Sequence, residues 1–446
     1  MWKVVACNTP KTSNDMREIK RRTFLGSAAV GTLALGSVFE HSLAGAEPGK
    51  TLKLGLIGCG WYGMVDVNAA FKSGGVEVVA LCDVDSDHLS KSAEEVAKKQ
   101  GQRPQTFKNY QDLLNAPGLE AVIIATPPQW HALQFIAAVE KGVDVYCEKP
   151  LAYDIRECRA MVEASRKSGR VAQIGFQRRQ CLAFQQVRQY LQTGAAGRVV
   201  SADVQIHYTA GLKDPTPQEP PASLDWDLWC GPAPKLPYSP QIGHMNWRLE
   251  KTTGHGHLVD WGAHLVDATR VILGESMPRT VQAFGGLYQL QGKITTPDTL
   301  TAQFDFEKCP VIWRHRIWGA EEYSPEVSNG IFFYCEKETI FVTDDKWIVI
   351  PQGKGKERVV HDAKTDAGTA HMTDFLAAVR ARRQPMCQVE DAFCSTVAVK
   401  LAMIAYEVGA KVTWDAKTEQ IVGNEAASGL LKRAYRAPWV HPYRGA

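Results

Sequence analysis

The sequence predicts an α/β protein in two parts: a parallel sheet covered by helices, then an α+β domain with an open, mainly antiparallel sheet. Three observations carry this. Short apolar runs alternate with helix-like segments from Thr51 to about residue 150, a glycine-rich hexapeptide joins the first run to the first helix, and strand-like runs dominate after about residue 170. Strand–helix alternation places parallel strands under helices on both faces, whereas strands separated only by turns pair antiparallel.

In order, LKLGLIG reads as a buried strand and Gly63 to Phe71 begins a helix. EVVALCD is a second strand, SDHLSKSAEEVAKKQG a helix, AVIIAT a strand, HALQFIAAVEKG a helix and VDVYC a strand. The later runs VVSADVQIHYTA, TVQAFGGLYQL, TLTAQFDF, VIWRHRIWG, GIFFYCEK, TIFVTD and KWIVIP are strand-like. A proline- and aromatic-rich loop (211–247) interrupts them, two helices (about 370–383 and 390–409) follow, and the tail from Val412 has no clear periodicity. The organisation expected is a leader (1–46), a dinucleotide-type domain (47–170), an α+β domain (171–411) and a tail (412–446).

Composition is that of an ordinary globular chain, with 45% apolar and 22% charged residues. A formal charge of +3 gives no electrostatic case for nucleic acid or a membrane surface. Eleven cysteines form no CxxC pair, and several sit in apolar strand-like runs where Cys packs as a small core residue, so no essential disulfide is expected.

The hexapeptide GCGWYG supplies Gly58 for a tight turn, Gly60 for close backbone approach to a pyrophosphate, and Gly63 for close helix–sheet packing. Free N–H groups at the following helix start favour phosphate, which makes Gly58, Gly60, Trp61, Tyr62 and Gly63 candidate cofactor contacts. Asp83 ends the second strand 20 residues after Gly63, where a ribose-binding acid belongs. It would repel a 2′-phosphate, which favours NAD over NADP.

YCEKP places Lys149 at the carboxyl edge of the sheet, bent out of helical geometry by Pro150. In GHGHLVDWGAH (254–264), His257, Asp260 and His264 fall on one face of a helix. That spacing serves either a metal site or a proton-transfer site with a histidine base.

GCGWYG with Asp83, TPPQWH, YCEKPLA and DWGAH together resemble the Gfo/Idh/MocA family, the relatives of glucose–fructose oxidoreductase and inositol dehydrogenase. The resemblance covers almost all of 52–412. It implies a Rossmann domain holding the dinucleotide and a second domain whose sheet covers the nicotinamide. It further implies Lys149, Asp260 and His264 in the substrate site, Thr126, Pro127, His131 and Glu148 at cofactor-contact positions, and Gln177 as a cofactor or substrate neighbour. It weighs against a metal. His255 and His257 interrupt the glycine run usual before the aspartate, which makes His257 a further substrate-contact candidate. Trp226, Trp229, Tyr238 and Trp247 serve either to stack on sugar rings or to pack a core; Trp247 is the one carried forward as a substrate contact.

The reaction implied is hydride transfer between a nicotinamide and a secondary alcohol of a sugar, glycoside or cyclitol, with Lys149 and His264 sharing the proton and oxyanion roles and Asp260 orienting them. A glycoside hydrolase or lyase acting through a transient keto-sugar is the alternative. The family resemblance also implies a homodimer or homotetramer. Finally, KRRTFLGSAAVG (20–31), an apolar run ending near Phe39 and AGA at 44–46 resemble a twin-arginine export signal. Such signals carry proteins across already folded, which implies the export machinery as a partner, a periplasmic or secreted location, and a cofactor retained from the cytoplasm.

Overall fold

The computed structural model describes residues 51–321 and 327–445; the leader at 1–46 lies outside the described residues. Strands β1 (Leu52–Ile57), β2 (Val76–Cys82), β3 (Gln105–Phe107), β4 (Ala121–Ile124), β5 (Asp144–Glu148) and β6 (Ala172–Gly175) form a sheet in the order β3-β2-β1-β4-β5-β6. Every pair in it is parallel. β4, β5 and β6 are buried at every position, as expected of strands covered on both faces.

The connecting helices begin and end where local chemistry dictates. Asp85 caps helix Ser86–Gln100 by accepting from the Asp87 N–H, and Gly101 closes it in the left-handed region at φ 79°. Asp154 and Glu157 form a reciprocal capping box on helix Ile155–Ser168, which the sequence reading passed over.

The second sheet contains β7 (Val199–His207), β8 (Thr280–Gly286), β9 (Thr299–Asp305), β10 (Pro310–Arg316), β11 (Asn329–Cys335), β12 (Glu338–Val342), β13 (Lys346–Pro351), β14 (Val359–Asp362), β15 (Val412–Asp415) and β16 (Gln420–Val422). Their order is β14-β13-β12-β11-β7-β10-β9-β8-β15-β16. Within this sheet, among the described residues, the one parallel pair is β7 with β10, so the sheet is mixed though mostly antiparallel. In β9 and β10 buried and half-buried residues alternate, so only one face packs on the core. Helix Val389–Val408 packs against helix Ile155–Ser168, helix Ala263–Leu273 and β8. It buries 14 of its 20 residues, a length that reads as apolar nearly all round because both halves of the molecule surround it.

Two segments lie elsewhere than their sequence position suggests. Helix Ala367–Ala381 packs Met372, Phe375 and Leu376 into the core of the first sheet, against helix Trp61–Ser73. The segment from Val412 opens with the β15–β16 hairpin, which extends the second sheet at β8. Beyond it, the chain clasps the first domain. Arg433 Nε donates to Glu157 Oε1 at 3.0 Å, Tyr435 donates its hydroxyl to the same oxygen at 2.8 Å, and His441 Nε2 lies 3.0 Å from Asp154 Oδ2. All ten described cysteines are unpaired and eight are buried.

Glu157 is completely buried, so removing Arg433 leaves a carboxylate without its charge partner. Arg433→Ala is expected to lower unfolding free energy by about 3–5 kcal/mol, read by denaturant titration with an unchanged m-value.

Candidate active site

Strand order reverses between β1 and β4, and the crevice at the carboxyl edge of a parallel sheet is where such folds bind ligands. The glycine loop follows β1, Asp83 follows β2, Thr126 follows β4, Lys149 follows β5 and Gln177 follows β6, so the sheet topology alone brings these candidates to one edge.

A cavity of about 760 Å³ opens there, lined by Gly58, Gly60, Trp61, Tyr62, Asp83, Thr126 and Pro127 from the first domain. Each glycine has a distinct constraint. Gly58 sits at φ 96° with Ala125 backbone 2.8 Å from where a Cβ would be, and at Gly63 a Cβ would meet the Gly58 carbonyl at 2.0 Å. At Gly60 a Cβ would meet nothing within 4 Å, because that position faces the cavity. Asp83 accepts from Cys59 N–H at 2.6 Å and from Asp85 N–H at 2.8 Å, which fixes its carboxyl at the cavity wall. A bare glycine edge, a fixed acid and a cavity of this size fit a dinucleotide.

The roof comes from far along the chain: Lys213, Trp229, His244, Trp247 and Arg248 from the proline-rich loop region, and Trp439 from the tail. The loop is fastened by Ser86 N–H to Ser223 O at 2.9 Å, Asp225 N–H to Val84 O at 3.0 Å, and the Lys108–Asp225 ion pair at 2.5 Å. Trp226 and Trp229 stack at 4.5 Å with Tyr238 edge-on in a small core of their own. Trp247 packs against this core and, like Trp229, lies on the cavity, with the Arg248 guanidinium 4.4 Å over its ring.

Beside the cavity, Lys149 Nζ donates to Asp260 Oδ1 at 2.6 Å and to the Asp260 carbonyl at 3.0 Å. Arg248 Nε donates to the same carboxylate oxygen at 3.2 Å, linking the pair to the roof. Burial raises the Asp260 carboxyl, but Lys149 and then Arg248 outweigh it and hold the group well below the usual carboxylate range. Burial, then Lys149 and Arg178, push His264 well below the ordinary histidine value, so its ring is neutral at neutral pH. Its Nδ1 is buried without a hydrogen-bond partner and its ring meets Phe176 edge-on.

The helix bearing these residues differs from the regular one expected. Leu258–Gly262 is a π-helical turn running into helix Ala263–Leu273, so the regular helical spacing from His257 to His264 is interrupted, although His257 still lies within electrostatic reach of Lys149 and Asp260. His257 is buried among Tyr208, Trp261, Trp313 and His315, with the Tyr208 hydroxyl 3.3 Å from its Nδ1. His255, at φ 65°, turns to Glu407 and Lys400. His257, Asp260 and His264 do not converge as ligands. Among the described residues the groups that do are Asp85–His88–His244, beside the roof, and Asp154–Glu157–His441, in the tail clasp.

Three expected cofactor contacts stand behind the cavity wall instead. His131 is fully buried, with its ring nitrogens 2.8 Å from the Thr126 and Pro150 carbonyls, so it braces the β4 turn against the lysine turn. Gln177 donates to Glu148 Oε1 at 2.5 Å, and both side chains are buried beneath Lys149 rather than on the cavity. Burial pushes the Glu148 carboxyl up to about 7 against the opposing pull of Lys149. The sequence reading missed Arg248 and Arg178, which carry no local motif, and Asp66, a buried acid whose Oδ2 has no partner.

Three family models match in succession: an NAD-binding Rossmann fold of an oxidoreductase family over 52–176, the GFO/IDH/MocA C-terminal domain over 184–340, and the oxidoreductase family's C-terminal alpha/beta domain over 350–441. The chain belongs to the Gfo/Idh/MocA oxidoreductase family. Within it, inositol 2-dehydrogenase of Salmonella typhimurium is 33% identical over 162 residues, 36% of this chain and 47% of that protein. A glycosyl hydrolase family 109 protein of Stenotrophomonas maltophilia is 37% identical over 139 residues, 30% of each. The chain thus matches about half the length of its inositol dehydrogenase relatives and less of the hydrolase. A levoglucosan dehydrogenase solved with NADH and levoglucosan shares the fold at TM-score 0.65 and 17% identity, over 81% of this chain and 99% of that one.

Buried neutral histidines lead to an expected loss of stability in acid. His255, His315 and His371 are each lowered to about 4 by burial, so the unfolded chain takes up protons below about 6.5 that the native state refuses. Their contribution is intact above 6.5 and lost as pH falls toward 4. Glu148 runs the other way: its native proton stabilises below about 4.5 and that contribution is lost as pH rises through about 7. The Tm is expected to fall between pH 7 and 5, and Glu148→Gln, which removes one opposing contribution, to steepen that fall.

Proposed function

We propose that this protein is a nicotinamide-dependent oxidoreductase moving a hydride to or from a secondary alcohol of a sugar, glycoside or cyclitol, with NAD held tightly. The observation that carries this reading is the Lys149–Asp260 pair at 2.6 Å next to a neutral His264 whose Nδ1 has no partner, at the edge of the dinucleotide-sized cavity. Inositol dehydrogenase and levoglucosan dehydrogenase relatives support a polyol or sugar as substrate.

The glycine loop and Asp83 would hold NAD, which when bound supplies the hydride acceptor. His264 takes the hydroxyl proton, since its ring is neutral and the residue is half-buried rather than sealed, beside Lys149 and Asp260. Lys149, anchored by Asp260, donates to the reacting oxygen and stabilises negative charge there. Asp260 keeps the lysine in place and is itself oriented by Arg248. Trp247 and Arg248 close the site from the roof, which restricts water.

Tight retention is supported by the roof, drawn from the loop and the tail and fastened to the first domain. It accords with the leader's likeness to a folded-export signal, and a periplasmic or secreted enzyme with trapped NAD must close its redox cycle on its own substrates. The hydrolase relative favours a second reading, redox-neutral glycoside cleavage through a transient ketone. Either form works in the homodimer or homotetramer that the family resemblance implies.

Denaturing protein purified without added nucleotide is expected to release NAD at close to one per chain by mass spectrometry; empty protein that binds NAD weakly would overturn retention. Lys149→Met is expected to lower kcat at least about tenfold, and His264→Ala about 10²–10⁴-fold. Free sugar product from a glycoside, with no net nicotinamide reduction, would transfer the assignment to the hydrolase.

A further inference from the structure

The roof loop meets the first domain at a group of side chains that the scheme above does not use. Asp85 caps helix Ser86–Gln100 and His88 stands three residues on, which puts both on one side of its first turn. His244 reaches them from the proline-rich loop, and one ligand-type atom from each of the three lies within 4.8 Å of the other two. Asp85 is buried, and the two half-buried rings tilt against each other with centroids 4.3 Å apart.

The two oxygens of Asp85 divide their work. Oδ1 accepts from the Asp87 N–H at 3.0 Å to cap the helix, and Oδ2 lies 3.1 Å from His244 Nε2. An Asp–His hydrogen bond accounts for that second contact alone. It does not explain His88, whose ring nitrogens have no hydrogen-bond partner among the described residues although one stands beside the same carboxylate. Nor does it explain why His244 holds φ 48°, in the left-handed region that is costly for a residue with a Cβ.

A metal ion accounts for all three. Ligand atoms of a tetrahedral zinc, each about 2.0–2.1 Å from the ion, stand about 3.3 Å apart. The Asp85–His244 spacing already matches, and the remaining separations exceed it by about 1.5 Å at most, a gap that half-buried rings can close. Two imidazoles and one carboxylate are a donor set for borderline transition ions such as zinc, whereas magnesium and calcium take oxygens. Asp83 adds negative charge beside Asp85 and His88, and Lys213 opposes it from beside His244. The other such group, in the tail clasp, already holds Arg433 as its cation.

We propose that Asp85, His88 and His244 bind a zinc-class ion that clips the roof loop to the first domain and so slows cofactor release. His88 and His244 border the cavity, which leaves a fourth position to water on that side. Backbone bonds at Ser223 and Asp225 fasten one stretch of the loop, and a metal at His244 fastens the stretch that leads into Trp247 and Arg248. The metal site stands apart from the redox reading; only the release measurement needs the dinucleotide.

The test uses the full chain without an affinity tag, freed of metal by chelator and read for zinc by elemental analysis, calorimetry and Tm. About one zinc per chain is expected, with a higher Tm and weaker binding of magnesium and calcium. Asp85→Asn, which keeps the helix cap, His88→Gln and His244→Gln are each expected to weaken zinc at least about 100-fold, while His441→Gln, in the tail clasp, leaves it unchanged. In wild type loaded with NAD, zinc is expected to slow nucleotide release at least about fivefold, and in the three variants not at all. No zinc above buffer level, zinc held equally by the variants, magnesium or calcium held as tightly, or NAD release that zinc leaves unchanged would overturn the proposal. If His244→Gln does not fold, His88→Gln decides, since its ring has no protein hydrogen bond to lose. If the chain binds zinc but no NAD, the cofactor reading fails while the metal site stands.

Discussion

Lys149 and Asp260 come from the two halves of the molecule, 111 residues apart in sequence, and their contact sets where each half can sit. The lysine terminates a fully buried strand and the aspartate stands in a π-helical turn, so neither can adjust without moving its element. Taking both charges out of water is expensive, and the cost is offset only while the second hydrogen bond to the Asp260 carbonyl and the Arg248 contact persist. The placements of His264, four residues on, and of the roof through Arg248 follow from that pair.

Around it the architecture is layered by charge state. Asp260 is ionised, His264 is neutral, and Glu148 is held near the middle of the physiological range, all at one sheet edge. Groups whose environments push their pKa values apart are how a protein keeps one base and one charged anchor side by side at a single pH. The brace of His131 between the Thr126 and Pro150 carbonyls keeps the two turns that bear these groups in register.

What the sequence made legible is what depends on neighbours within a turn or a strand. The alternation of β1, β2, β4 and β5 with helices, the spacing of Gly58, Gly60 and Gly63, and Asp83 at a strand end are all local patterns, and each is found where its chemistry requires. The contacts that complete the site are not local. Arg248 reaches Asp260 only because the roof loop folds back, and Arg178 is oriented by Asp344, 166 residues away. The regular helix assumed for His257, Asp260 and His264 failed for a different reason: a π turn shifts the face of a helix by a fraction of a turn, and no residue in LVDWG announces it. The segment after Val412 lacked periodicity because much of it clasps other elements through polar side chains rather than packing one apolar stripe.

Trp439 lines the cavity whose floor is the loop at Gly58, and its ring meets Trp130 edge-on at 5.7 Å. A ribosome releases these two walls in order, floor first. At about 5–20 residues per second the nascent chain carries an uncovered half-site for roughly 20–75 seconds before the last wall emerges. During that interval a nucleotide can visit and leave. The closed cavity is therefore a late product of synthesis: the glycine loop and Asp83 are displayed long before Trp439 can cover them.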